Sequence, residues 1–151
     1  MTIDAARVHQ LELHFPRDGE SHSFVRDGRR WRPSGEGLEV STVHIEDLLY
    51  GVAELEATGI ESSDDRAALG LEPPLVRAVA LDETGTELGW IELGDPEPGV
   101  GTPALSSRSD RIWRVINDVG EMIPLGKSAF EARWLESDAS EAPAESAQDL
   151  E

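Results

Sequence analysis

The sequence predicts an α+β fold: an antiparallel β-sheet of about seven short strands, one main packed helix and short C-terminal helical pieces. Short segments in which apolar and polar residues alternate are separated by Gly, Pro, Asp and Ser, a pattern typical of strands joined by tight turns. A single longer segment carries apolar residues at helical spacing. Hydrophobic residues make up 38% of the 151 residues and include four tryptophans, which is enough for one core.

One folded domain is expected over residues 1–135, because domains commonly contain about 100 to 200 residues. From Glu136 onward, six of sixteen residues are acidic and none is basic. Such a segment holds too little apolar surface to offset the entropy lost on ordering. Residues 136–151 are therefore predicted to form an acidic disordered tail.

The N-terminal region predicts three strands. Leu11, Leu13 and Phe15 fall on one face of the first, Val8–Phe15, as in a half-buried strand. Turn-forming residues follow, and a second strand is predicted over Ser21–Arg26.

A hairpin turn is predicted at Asp27-Gly28, because a two-residue type I′ turn needs positive φ at both central positions and these residues tolerate it well. The third strand then runs over Arg29–Arg32. Counting back across the turn places Arg26 opposite Arg29, a like-charge pair that favours an anionic neighbour.

The main helix is predicted from an apolar stripe that should lie on the sheet. The stripe consists of Ile45, Leu48, Leu49, Val52 and Leu55. Ser41 or Thr42 is the candidate N-cap. Thr58-Gly59 is expected to end the helix.

The second half of the chain predicts four more strands. They are Leu75–Leu81, Glu87–Leu93, Ala104–Ser107 and Arg111–Ile116. The first is apolar on both faces apart from Arg77, as in a central strand. The last two are expected to join across Ser109-Asp110. Helical pieces are predicted at Asp118–Ile123 and Ser128–Leu135.

Charge restricts the partners. The formal net charge is −18, so the average surface repels nucleic acid and anionic lipid, and a protein partner is expected. Twelve of the thirteen basic residues are arginine, consistent with a GC-rich coding bias, a salt-adapted surface or an anionic mimic. The absence of cysteine excludes thiolate chemistry and cysteine-ligated metal sites.

Neither a secretory signal nor a spanning apolar segment of about 20 residues is found in the sequence. The chain as written is therefore expected to be cytoplasmic and without direct membrane insertion. If it is excised from a membrane-anchored protein, the expected location is extracytoplasmic.

Sequence motifs for catalysis or cofactor binding are weak, and we expect no cofactor, no metal and no enzymatic activity. Gly126-Lys127-Ser128 lacks the glycine of a P-loop, because Glu121 stands at that position. His14 and His22 could be neighbours across the first hairpin, but solvent-facing strand histidines are commoner than metal ligands.

The most unusual local feature is a group of four bases around Trp31 in an acidic chain. We call it the arginine hairpin, and its members are Arg26, Arg29, Arg30 and Arg32. One interpretation is that Glu20, Glu36 or Glu39 neutralises them. The other is that the hairpin tip binds an acidic protein surface or a second copy of the chain.

The tryptophans have different predicted roles. Trp31 and Trp113 are expected in the core, with Trp31 facing inward beside Phe24. Trp90 is expected either to cover the second side of the sheet or to form a contact patch. Trp134 is expected to dock the last helix.

Five motifs in a fixed order resemble a bacterial family of domains of unknown function, over roughly Ala5–Leu135. They are Asp-Gly-Arg-Arg-Trp at 27–31, the helical stripe of the Val-x-x-Leu-Leu type, Leu-Gly-Leu-Glu-Pro-Pro at 69–74, Ile-Glu-Leu-Gly at 91–94 and Arg-Ile-Trp-Arg-Val at 111–115. Members typically follow an N-terminal membrane anchor and occur with gliding-motility-type ABC transporter components. The resemblance implies an extracytoplasmic binding or scaffold module without an established activity.

Three hypotheses about function follow. The first is a non-enzymatic binding or scaffold module, accessory to a transport or envelope-associated machine. The second is an acidic adaptor or charge mimic that binds a basic protein surface. The third, an enzyme built from scattered residues, has the least support in the sequence.

Overall fold

The structure, a computed structural model, describes residues 4–28, 30–33 and 42–133. Within these ranges the chain has the predicted α+β architecture, with one open antiparallel sheet, one main helix and short helical pieces. Arg29, Glu36, Glu39, Ser41 and the predicted tail lie outside the described residues. No helix in the described ranges is long and apolar enough to cross a membrane.

The described residues form eight strands in one sheet. They are β1 (Gln10–Phe15), β2 (Glu20–Asp27), β3 (Arg30–Pro33), β4 (Gly59–Ile60), β5 (Val76–Leu81), β6 (Glu87–Leu93), β7 (Thr102–Ser106) and β8 (Ser109–Val115). Their order is β3-β2-β1-β5-β6-β7-β8-β4, and each neighbouring pair is antiparallel. The prediction of about seven strands missed β4, because two residues are too few to show an alternation.

The sheet consists of two meanders that meet at its centre. Strands β1 to β3 form one, strands β5 to β8 form the other, and β1 pairs with β5 between them. The connection between β3 and β5 contains helix α1 (Thr42–Glu54), forms β4 at the far edge of the sheet, and returns to the centre. This crossing leaves residues 55–58, the α1–β4 linker, beside the end of the sheet formed by β7, β8 and β4.

The predicted apolar stripe is confirmed as part of the main core, with four of its residues in α1 and Leu55 directly after the helix. All five of its residues are buried, from Ile45 at 0% to Leu49 at 8% exposure. They pack against alternate residues of the central strands, including Leu11, Leu13 and Phe15 on β1, which are also buried. The helix face predicted by the 3.6-residue periodicity therefore packs on the strand face predicted by the two-residue periodicity.

A smaller apolar cluster lies on the other face of the sheet. It contains Leu71, Leu105 and Ile112, with Leu69 and Trp90 packed against it. Trp90 therefore covers the second side of the sheet, one of its two predicted roles.

A turn at Gly70 lies between Leu69 and Leu71, two residues of this cluster. Gly70 has a φ of 78°, and a Cβ there would collide with the carboxyl group of Asp95. Arg17 holds the turn from outside, because its Nη2 donates to the Gly70 carbonyl at 2.8 Å and its Nη1 lies 3.2 Å from Asp95.

The register of the arginine hairpin differs from the prediction by two residues. Arg26 lies opposite Trp31, not Arg29, and Asp27 lies opposite Arg30. Asp27 stays in β2, where its carboxylate lies 3.4 Å from Arg32, and Gly28 alone of the predicted pair takes the turn, with a φ of 67°. A two-residue slip keeps each side chain on its predicted face, since strand faces repeat every two residues.

Two predicted boundaries also differ. Helix α1 ends at Glu54 rather than at Thr58-Gly59, because the Thr58 amide already donates to the Arg114 carbonyl of β8 at 2.7 Å. Strands β7 and β8 join across Ser107-Arg108, because the Ser106 hydroxyl accepts from the Arg108 amide and closes the turn earlier.

The short helical pieces lie close to their predicted positions. A 3₁₀ helix spans Asn117–Glu121 and helix α2 spans Lys127–Arg133. Phe130 of α2 is fully buried. Trp134, the residue expected to dock this helix, lies outside the described residues.

Candidate functional site

At the C-terminal end of α1, exposed apolar side chains border a cavity. Tyr50 is 60% exposed and Ile116, which follows β8, is 49% exposed. Both line a cavity of about 320 Å³, together with Met122 and the linker residue Leu55. We call this the Tyr50 cavity.

Met122, which directly follows the 3₁₀ helix, lines the Tyr50 cavity and packs closely on α1. A Cβ at Gly51 would lie 3.1 Å from Ile123 Cγ1 and 3.2 Å from Met122 Cβ, so glycine lets these residues approach the helix. Ile123 is fully buried. Gly51 and Met122 both line the cavity, so their close contact forms one wall, while Tyr50 and Ile116 remain exposed at its mouth.

The rim of the Tyr50 cavity is anionic. Glu54, the last residue of α1, and Glu56 in the linker both line the cavity and are exposed. The lining contains no Lys, Arg or His. Because a helix C-terminus carries a negative partial charge, two carboxylates there reinforce a negative local potential.

A second cavity, the Trp113 cavity, lies on the other side of the same linker. Its volume is about 350 Å³, and Leu55 and Ala57 line both cavities. Arg108 is the charged residue in its lining. Trp113 is only half-buried, and its indole Nε1 has no hydrogen-bond partner among the described residues. The prediction of a core position for Trp113 is thus only partly met, whereas Trp31, at 5% exposure, belongs to the main core.

A buried ion-pair network holds the edge of the sheet next to both cavities. Arg114 on β8, with a side chain only 9% exposed, donates from Nε to Glu61 Oε1 at 2.6 Å. Its Nη1 donates to the Gly101 carbonyl at 2.8 Å, and its Nη2 donates to Glu97 at 3.2 Å. Arg114 therefore ties the residue after β4 and the loop before β7 to strand β8.

The carboxylate of Glu61 is stabilised in its charged form. The backbone amide of Ser63 donates to it at 3.0 Å, and this hydrogen bond, followed by that of Arg114, lowers the pKa of Glu61 from its usual value of 4.5. The same segment is held by backbone bonds, since the Glu61 amide donates to the Ile112 carbonyl at 2.8 Å. These contacts indicate a structural role for the network, one that positions β4 and the linker.

The predicted arginine hairpin is not a uniform exposed patch. Arg26 faces inward and is half-buried, with its guanidinium 5.0 Å from the ring centroid of Trp31. Arg30 and Arg32 are exposed. Of the acids expected to neutralise the group, Glu20 instead pairs with Lys127 at 3.0 Å. Among the described residues, the Asp27 carboxylate contacts Arg32 at 3.4 Å.

Replacing Arg30 and Arg32 together by Ser should leave the fold intact, because surface substitutions usually change stability by less than about 0.5 kcal/mol. Arg26→Ser should cost about 1 kcal/mol, since it removes a partly desolvated cation–π contact. Thermal melts would measure both. If the hairpin tip is an interface, the double variant should also weaken partner binding or self-association. Unaltered binding would remove the tip from the candidate interfaces.

The other predicted candidates do not converge. His14 and His22 occupy opposite faces of the sheet: His22 is stacked on Phe130 at 4.5 Å, whereas His14 contacts Glu12 at 3.1 Å. In the described ranges, no group of three His, Cys, Asp or Glu side chains is arranged to hold a metal ion.

Two motifs that carry the family resemblance contact each other. Gly94 lies so close to the turn of residues 69–74 that a Cβ would collide with the Leu69 carbonyl oxygen. The Asp95 amide donates to that carbonyl at 3.1 Å. A third motif, residues 111–115, contains Arg114 of the buried network. These motifs therefore have structural roles in this chain.

Comparisons with protein-family models, with curated proteins and with solved structures find no match for this chain. The two cavities and the Arg114 network were not predicted from the sequence. The one local signal was an arginine between Trp113 and Val115 in an otherwise apolar strand pattern.

Proposed function

We propose that this chain is a non-enzymatic binding module that holds a protein partner at the Tyr50 cavity. The observation that carries the proposal is the exposure of Tyr50 and Ile116 at the mouth of a preformed apolar cavity. Apolar side chains that a partner covers contribute about 1.5 to 3 kcal/mol each when fully buried. Aromatic residues beside a pocket are common binding hot spots.

The wider setting of this module is proposed from the family resemblance. We infer a role accessory to a transport or envelope-associated machine, in an extracytoplasmic location if the chain belongs to a membrane-anchored protein. The close packing of Met122 on Gly51 in the wall of the cavity favours a docking platform, because a preorganised surface loses less entropy on binding.

An acidic adaptor or charge mimic is the second candidate. The formal charge of −18 favours it, because such a surface attracts basic proteins over a distance of about a Debye length. A pure charge mimic should lose its partner when salt is raised and should be insensitive to Tyr50. A cavity-based module should depend on Tyr50 at any salt concentration.

The test is quantitative affinity capture from native extract with two matched variants. Tyr50→Ser with Ile116→Ser removes the exposed apolar mouth, and we expect capture of the specific partner to fall about tenfold or more. The control is Val43→Ser with Val100→Ser. These two apolar residues are 64% and 52% exposed, close to the values of Tyr50 and Ile116, and they line neither cavity. Equal capture by both variants would contradict the proposal.

A further inference from the structure

The charge around the Tyr50 cavity identifies the chemistry of its occupant. Apolar residues make up most of its lining, while Glu54 and Glu56 stand at its rim without a basic residue in the lining. Helix α1 ends at Glu54 with no basic residue in its last turn. Acids at this end of a helix are unfavourable for the helix itself, since the helix dipole is negative there. An occupant that brings a cation would relieve this repulsion.

The neighbouring Trp113 cavity provides an internal comparison. It has a similar volume and shares two wall residues, but its charged lining residue is Arg108 rather than an acid. The two cavities therefore have similar size and apolar walls but rims of opposite sign. Charge, more than shape, distinguishes what each would accept.

Two occupants from this chain itself fit poorly. Residues 136–151 contain six acids and no base, so Glu54 and Glu56 repel them. The arginine hairpin of a second copy has the right charge, but its large apolar residue, Trp31, is 5% exposed and belongs to the core. It offers cations without an apolar side chain to fill the cavity.

We propose that the Tyr50 cavity takes a basic–apolar segment of another protein, with a large apolar side chain in the cavity and Lys or Arg beside Glu54 and Glu56. This inference rests on the proposed function and names the partner's chemistry. Burial of the apolar side chain between Tyr50 and Ile116 supplies most of the affinity. The two carboxylates increase the association rate and select against acidic segments.

The experiment uses an array of short peptides of random sequence, probed with the full chain. Wild-type protein should retain peptides in which Lys or Arg flanks Leu, Phe or Trp, and Tyr50→Ser with Ile116→Ser should lose them about tenfold or more. Glu54→Lys with Glu56→Lys should shift the retained peptides toward Asp and Glu beside the same apolar residues. Glu54→Gln with Glu56→Gln should weaken the basic preference without reversing it.

The outcomes separate this inference from the proposed function. If the wild-type protein and the Lys variant retain peptides of the same charge, the basic-segment inference is wrong. The proposed function still stands in that case, provided that capture from extract depends on Tyr50 and Ile116. If neither assay depends on these two residues, both proposals fail. All four positions are exposed, and unchanged thermal melts would confirm that each variant is folded.

Discussion

Arg114→Met should lower the free energy of unfolding by about 3 kcal/mol or more, the usual cost of removing one partner of a buried ion pair. The substitution leaves Glu61, 12% exposed, without its cation, and it removes one of the two donors to the Gly101 carbonyl, which keeps the Glu97 amide. Glu97 is 57% exposed and can be hydrated instead. For a domain of this size, the melting temperature should fall by about 10 °C.

Two controls test whether the buried charge is the cause. Replacing both Arg114 and Glu61 by Leu should recover most of the loss, because apolar replacement of a complete buried pair is often neutral. Arg32→Ser breaks an ion pair whose side chains are 66% and 69% exposed, and it should change stability by less than about 1 kcal/mol. If Arg114→Met behaves like Arg32→Ser, the network contributes little to stability.

The pH dependence of the wild-type protein should report the same network. Because the pKa of Glu61 is lower in the folded state than its usual 4.5, its ionised form stabilises the fold above that value. This contribution is lost as pH falls through the lowered pKa of the folded state. Arg114→Met weakens the cause of the shift, so its melting temperature should fall less steeply below about pH 4.5. Parallel pH profiles would contradict this assignment.

Local pattern predicted the strands and the main helix well. Leu11, Leu13 and Phe15 are buried as their alternation indicates, and the α1 stripe from Ile45 to Leu55 is buried throughout. These predictions succeeded because each depends on a periodicity contained in one segment.

Features that depend on distant segments could not be predicted in this way. Strand β4 exists because Thr58 and Glu61 hydrogen-bond to β8, more than 50 residues away. The predicted hairpin register was wrong because the Asp27-Gly28 pattern carries no information about two contacts made in the folded chain. Asp27 contacts Arg32 and Arg26 contacts Trp31, and both contacts favour the observed register.

The candidate site was missed for a similar reason. Tyr50 and Ile116 are 66 positions apart and line one cavity because Met122 and Ile123, which follow the 3₁₀ helix, pack on Gly51. The acidic rim could not be recognised in the sequence, because a chain with 31 acids has acidic residues close together at many positions by chance. The arginine hairpin was noticed because bases are scarce in this chain, but burial of Arg26 reduces the exposed group that the structure describes to Arg30 and Arg32.

Helix α2 should depend on one side chain, Phe130. It is fully buried and lies 5.7 Å from Phe15, 6.2 Å from Phe24 and 4.5 Å from His22, measured between ring centroids. A helix of seven residues is too short to be stable alone, so tertiary packing must hold it. Among the described residues, the ion pair of Lys127 with Glu20 at 3.0 Å is about one-third exposed and adds little to its stability.

Phe130→Ala should therefore cost about 3 to 5 kcal/mol, measured by urea unfolding, because it leaves a cavity among three aromatic rings. Phe130→Leu, which conserves more of the volume, should cost less, and Lys127→Ala should have a much smaller effect than either. Hydrogen exchange should show the α2 amides opening first in Phe130→Ala, since the helix loses its only fully buried described side chain. A loss below about 1 kcal/mol, with α2 amides still protected, would mean that contacts other than Phe130 hold the helix.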